Sequence, residues 1–270
     1  LLNDFIVIED PITNLSRSKM TRLAQKICQR RSGVGADGVL LLKSQRRATA
    51  RIDVYNADGG WAEKSGNGLR IAGLHLSRTG KGKRHFDFEM GGKVSQVRLV
   101  KKTKAGAILT TDLGVPEFRS KKVPIRSKSP FMINQTLKMD GVALPVTCLS
   151  IGNPHTVVFV ENFDFDWGAL GESIENHRSF PNKTNVEFAK VLSRRKLQLC
   201  EWERGVGATG SSGTGAAAAV AAAVVLGLAE RQCAVQFDSG TLIVNWRQKD
   251  NVLELTGPAE LVCEGIFEFV

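Results

Sequence analysis

The sequence predicts an α/β (α+β) fold made of two similar halves, and three observations carry that expectation. Short apolar alternations recur along the chain, as in half-buried strands of a mixed or mainly antiparallel sheet. Two segments are apolar on most helical faces, so each must be surrounded by protein. The starts of those segments, Ser65-Gly66-Asn67-Gly68 and Ser212-Gly213-Thr214-Gly215, repeat each other at a separation of 147 positions. That spacing is too long for a solenoid and suits a duplicated domain.

Taken in order, Met20, Leu23, Ala24, Ile27 and Cys28 share one helix face behind a cap at Ser16 or Ser18. Alternation marks strands at Ile52 to Tyr55, His85 to Glu89 and Val94 to Val100, and the first buried helix begins at Gly66 among them. The stretch from Gly114 to Pro130, rich in Pro, Ser, Lys and Arg, reads as a linker between the halves. Further strands are expected at Thr156 to Val160, Lys196 to Trp202, Thr241 to Trp246 and Val252 to Leu255, around a second buried helix from Gly213. A segment after Gly257-Pro258 is expected to return to the first half. The expected division is therefore 1–116 plus 258–270 for the N-terminal domain and 117–257 for the C-terminal one.

A chain of 270 residues, 42% hydrophobic, can fill one large core or two ordinary ones, which excludes disordered and collagen-like classes. Its longest apolar run, Ala216 to Ala229, is too short for about 30 Å of hydrocarbon. The opening Leu1-Leu2-Asn3-Asp4 lacks the pattern of a signal peptide, and a cytoplasmic location is expected. Cys28, Cys148, Cys200, Cys233 and Cys263 are odd in number and form no CxxC, which suggests neither a disulfide framework nor a zinc ribbon and fits a reducing compartment. His75, His85, His155 and His177 lack ligand spacing, so no metal and no cofactor is expected. The net charge of +10 lies in short clusters at Arg30-Arg31, Lys81 to Arg84, Lys101 to Lys104, Lys121-Lys122 and Arg194 to Lys196. Without interleaved aromatic residues these read as a solvated surface, with neither nucleic acid nor membrane as partner. A homodimer is left open.

The helix starts carry chemistry. The first amides of a helix have no intrahelical partners and the macrodipole adds positive charge, so a carboxylate is stabilised there, and glycines let it approach. A serine at such a start is also an ordinary N-cap. Repetition in matched context, each start following a strand and a glycine-rich turn with an acidic residue, favours the anion site.

Asn3-Asp4-Phe5, Gly33-Val34-Gly35-Ala36-Asp37-Gly38, Asn56-Ala57-Asp58-Gly59, Ala62-Glu63-Lys64-Ser65-Gly66-Asn67-Gly68, Gly152-Asn153-Pro154-His155, Asn185-Val186 and Glu203-Arg204-Gly205 through Gly213-Thr214-Gly215 occur in one order. In these motifs the chain resembles diaminopimelate epimerase, a cofactor-independent amino-acid epimerase, over nearly its whole length. The resemblance implies two pseudo-symmetric domains, each a curved sheet wrapped around a central helix, and interconversion of LL- and meso-diaminopimelate in lysine biosynthesis. It places Asn56, Asn153, Asn185, Glu203 and Arg204 on the substrate's non-reacting zwitterionic end. It places the amides of Gly66, Asn67, Gly213 and Thr214 on the α-carboxylate, with Asn3 lining the pocket. Arg suits a bidentate carboxylate contact and Glu an ammonium, whereas each Asn alone is equally at home in a turn. His155 reads more readily as a satisfied structural histidine than as a pocket donor.

Two departures bear on activity. The resemblance implies cysteine at the two catalytic positions occupied here by Ser65 and Ser212, one thiolate removing the α-proton and the other thiol returning one from the opposite face. A thiol near a helix N-terminus ionises near neutrality, whereas a serine needs an adjacent general base, and none is evident within either motif. Ala208 also stands where the family's turn has Glu. Retained binding with slow turnover is expected. Another racemase or dehydratase reaction of the superfamily, or a non-catalytic amino-acid-binding protein, are the alternatives.

Overall fold

The computed structural model describes residues 2–9, 16–45, 48–62, 65–79, 83–139 and 141–269. Glu63 and Lys64 of the recognised motifs, Leu1 of the opening residues, and Lys81 and Gly82 of one basic cluster lie outside the described residues. The chain divides into an N-terminal unit of Asn3–Asp112 joined by the residues from Thr256 onward, and a C-terminal unit of Leu113–Leu255 with Leu2.

The N-terminal unit contains β1 (Phe5–Glu9), α1 (Arg17–Ile27), β2 (Gly38–Lys43), β3 (Ala50–Asn56), β4 (Trp61–Ala62), α2 (Gly66–Thr79), β5 (His85–Met90), β6 (Lys93–Lys102) and β7 (Gly106–Gly114), the last reaching into the C-terminal unit at Leu113. Its sheet runs β1-β2-β3-β5-β6-β7, with β4 on the end of β3 and residues 256–260 beside β7. Strand β2 is apolar without alternation because both faces are covered. Val39 and Leu41 pack with Met20, Leu23 and Ile27 of α1, while Leu40 and Leu42 pack with Leu69 and Ala72 of α2. Ser16 supplies the α1 cap, accepting from the Lys19 amide.

The C-terminal unit contains β8 (Gln135–Met139), β9 (Val142–Ser150), β10 (Pro154–Phe159), α3 (Trp167–Glu175), β11 (Asn185–Ser193), β12 (Lys196–Glu203), β13 (Gly207–Thr209), α4 (Gly213–Val225), β14 (Gln232–Phe237), β15 (Gly240–Trp246) and the first residues of β16 (Leu253–Glu260). Its sheet runs β16-β15-β14-β12-β11-β10-β9-β8, with β13 on the end of β12. Helix α4 is buried from Ala216 to Ala223 because strands β9, β10, β11, β12, β14 and β15 all pack on it. The stretch from Gly114 to Pro130 is not a free linker. Val123 and Ile125 are buried with Leu137, Val146 and Phe180, and Glu117 and Arg119 form bridges with Ser150 and Phe131.

The two units share one plan. In each, two strands pair in parallel across a helix (β1 and β2 over α1; β10 and β11 over α3), and the second pairs antiparallel with a long strand, β3 or β12. That long strand forks. Its start pairs in parallel with β5 or β14, and its end pairs with a short returning strand, β4 or β13, that leads into the central helix. The equivalence is residue by residue. Leu40 faces Val54 in the N-terminal unit, and 147 positions later Glu187 faces Glu201.

Candidate active site

Both helix starts hold their serine as a cap. Ser65 Oγ accepts from the Gly68 amide at 3.0 Å and Ser212 Oγ from the Gly215 amide at 3.2 Å, so the third amide of each helix is satisfied. The amides before it, Gly66 and Asn67 or Gly213 and Thr214, have no intrahelical acceptor, which leaves them suited to a carboxylate.

In the N-terminal unit, Asn67 and Asn3 form a chain. Asn67 Nδ2 donates to Asn3 Oδ1 at 2.9 Å, and Asn3 Nδ2 donates to Asp37 Oδ2 at 2.7 Å. Asp37 also accepts from the Asp4 amide and from Arg30, whose guanidinium forks onto Asp4 and holds that carboxyl below its usual range. Arg70, buried in α2, donates through Nη2 to Asn67 Oδ1. Its Nε and Nη1 have no hydrogen-bond partner among the described residues, and burial lowers its pKa to about 10. The Ser65 amide donates to Met90 Sδ at 3.1 Å. Asn56 is exposed and its backbone closes the turn to Gly59 and Gly60, as ordinary turn chemistry would.

In the C-terminal unit, Asn153 Nδ2 donates to Thr214 Oγ1 at 3.4 Å, and that hydroxyl lies 3.3 Å from Ser212 Oγ. Asn153 Oδ1 accepts from His155 Nε2 at 3.0 Å, and His155 Nδ1 meets Glu187 Oε1 at 2.6 Å. His155 is thus a satisfied, fully buried histidine. Asn185 is also committed to the scaffold, accepting from the Arg204 amide and donating to the Pro154 carbonyl, each at 2.9 Å. Glu203 accepts from Thr209 Oγ1 at 2.7 Å, and the exposed Arg204 donates to the Asn182 carbonyl at 3.1 Å. Glu175 of α3 fastens the turn beyond them, accepting from the Gly205 amide, Trp202 Nε1 and Lys183.

Glu201 is the unexpected member. On β12 it shares a face with Leu197 and Leu199, which belong to the core around α4, and only 1% of it is exposed. Among the described residues neither carboxyl oxygen has a hydrogen bond of good geometry, its polar neighbours being the hydroxyl and amide of Ser212, and a Cβ added at Gly215 would collide with Oε1. Burial, then the Glu203 and Glu187 carboxylates, raise its pKa well above the usual carboxylate range, opposed by the hydroxyl and amide of Ser212. Burial and Glu203 push Glu187 the same way, toward the neutral form that can donate to His155 Nδ1. An unpartnered buried polar group costs about 1–3 kcal/mol and a charged one more, so an apolar residue in place of Glu201 would stabilise the fold better, whereas one in place of Glu187 would strip buried His155 of its Nδ1 partner.

Sequence reasoning singled out Asn3, Asn67, Asn153, Thr214 and Ser212, which the structure joins by hydrogen bonds within their respective units. It did not single out Arg70, Asp37, Glu187 or Glu201. The 147-residue offset carried a signal for the last two, because it sets them against Leu40 and Val54.

The chain matches known proteins along nearly all of its length. The sequence model of the family described as diaminopimelate epimerase matches residues 1–118 and 147–262. A diaminopimelate epimerase of Acetivibrio thermocellus is 33% identical over 268 residues, covering 97% of this chain and 94% of its own. One of Desulfitobacterium hafniense is 37% identical over 258 residues, covering 90% and 87%. Among solved structures, a predicted epimerase of Pseudomonas aeruginosa matches with a TM-score of 0.65 at 18% identity, over 97% of this chain and 94% of that one. A phenazine biosynthesis protein of the PhzF family from Bacillus anthracis gives 0.66 at 15% identity, over 94% and 90%. The structures share the fold.

Proposed function

As the chain belongs to the diaminopimelate epimerase family, we propose that it interconverts LL- and meso-diaminopimelate, a step of lysine biosynthesis, through a cofactor-independent two-base proton transfer. The observation that carries the reading is the repeated helix start, in which a serine caps the third amide and leaves two more for an α-carboxylate.

In this reading the amides of Gly66, Asn67, Gly213 and Thr214 bind the α-carboxylate beside the reacting carbon, and Asn3 lines the same pocket through Asn67. Arg204 and Glu203 bind the distal carboxylate and ammonium, with Asn56, Asn153 and Asn185 completing the hydrogen bonds. The family resemblance assigns Ser65 and Ser212 the two proton-transfer roles. The reading places the enzyme in the cytoplasm, which its five unpaired cysteines favour, without a nucleic-acid or membrane partner.

Serine sets the rate. A hydroxyl holds no resting anion at neutral pH, so epimerisation is expected to be slow while binding persists. Replacing Ser65 and Ser212 together with Cys should raise the rate by several orders of magnitude, because a helix N-terminus favours thiolate, and either single replacement should give less. The check is epimerisation of LL-diaminopimelate followed by chiral chromatography. A double Cys variant that is folded and binds ligand, yet is no faster than the parent, overturns the two-base assignment and favours the binding-protein alternative.

A further inference from the structure

The C-terminal unit contains an acid that its own repeat shows to be unnecessary for the fold. In the N-terminal unit the pocket beneath the helix start is apolar. Leu40 and Val54 face each other across β2 and β3, and a Cβ at Gly68 would meet Leu40 Cδ2 at 2.9 Å. At the same places in the C-terminal unit stand Glu187 and Glu201, and a Cβ at Gly215 would run into Glu201 Oε1. Glu201 is buried, has no hydrogen bond of good geometry among the described residues, and lies against the first turn of α4, which Ser212 caps.

We propose that Glu201 and Ser212 form a proton relay in which the serine hydroxyl gives its proton to the substrate α-carbon and takes a replacement from the Glu201 carboxyl. This rests on the epimerase reading. The carbanion's electron pair forms the new C–H bond, the serine O–H breaks and re-forms with the proton from Glu201, and a carboxylate remains. In the reverse direction Ser212 oxygen takes the α-proton while its own passes to Glu201. Because the Gly215 amide already donates to Ser212 Oγ, the hydroxyl proton is not needed for the cap. A carboxyl kept neutral by burial can serve as acid near neutral pH, and its conjugate base is correspondingly strong. The other titratable groups beside Glu201 are Glu187 on β11, Glu203 at the end of β12 and, through Glu187, His155 on β10. Glu201 therefore supplies the base that a serine requires.

The test uses the Ser65→Cys background, where a thiolate serves the other face. Adding Glu201→Gln should lower the epimerisation rate about a hundredfold or more and remove a limb of its pH profile. In the Ser65→Cys, Ser212→Cys background the same change should alter the rate only a few-fold, since a thiol needs no relay. Rates that Glu201→Gln leaves unchanged in the Ser65→Cys background overturn the relay. A second readout needs no substrate. Of the infrared absorption of protonated carboxyls at pH 7, the component due to Glu201 should vanish in Glu201→Gln, leaving that of Glu187, and shift in Ser212→Ala, and absence of either effect also overturns the relay. If the infrared effects occur but the double Cys variant is inactive on diaminopimelate, it is the epimerase reading that fails.

Discussion

Glu201 shows how one residue can set the pH response of a fold. Its pKa is raised by burial and by the neighbouring carboxylates, so the native state retains a proton that the unfolded chain releases near about 4.3. Its contribution to stability is full below that value and is lost as pH rises through the folded pKa. Glu187, raised in the same direction, adds a slope of its own that a change at Glu201 leaves largely in place. Glu201→Gln is accordingly expected to stabilise the protein by about 1–3 kcal/mol at pH 8 and by less at pH 5, as read from urea denaturation. Equal gains at the two pH values would contradict a raised pKa. The polar residues of the motifs were legible through the resemblance their order carries, since each Asn taken alone is equally at home in a turn. Glu201 and Arg70 were not, because a charged residue inside an amphipathic pattern is ordinarily solvated, and only the register reveals that these two point inward.

At the scale of elements, the repeat organised what could be read. The strands expected from alternation coincide with β3, β5, β6, β10, β12, β15 and β16. Strand β2 escaped notice because a run buried on both faces has no period of two, and half-buried β1, Phe-Ile-Val-Ile-Glu, is an unbroken apolar run without alternation. Helix α3 escaped too, although α1 precedes β2 in the first copy and Asp166 caps the corresponding helix before β11. The same comparison separates the two helix starts energetically. A Cβ at Gly68 meets one terminal methyl of Leu40, whereas one at Gly215 meets the whole Glu201 carboxyl group, both oxygens and the carbon between them. Gly215→Ala is expected to cost about 1–3 kcal/mol and Gly68→Ala less, with Glu201→Ala recovering most of the Gly215→Ala loss. Additive effects of the Gly215 and Glu201 changes in denaturant titrations would refute the contact.

For the whole molecule, the excess of ten positive charges is the property most open to misreading. The basic clusters are short and separated, so titration with single-stranded DNA at about 150 mM salt is expected to give no saturable isotherm, and tight salt-sensitive binding would reopen the nucleic-acid class. Composition could exclude classes but could not draw the unit boundaries, since β16 changes allegiance at Leu255 within a single strand. That strand has a consequence for biogenesis. The C-terminal unit is nearly continuous in sequence, whereas β7 acquires its neighbour only from residues after Thr256, where the Leu261 amide reaches the Ala105 carbonyl at 3.1 Å and the Ala259 carbonyl presses against Gly106. As the ribosome delivers the chain from its N-terminus, the half that emerges first is completed second, and the open edge of β7 is exposed to other nascent chains for as long as the C-terminal unit takes to be made.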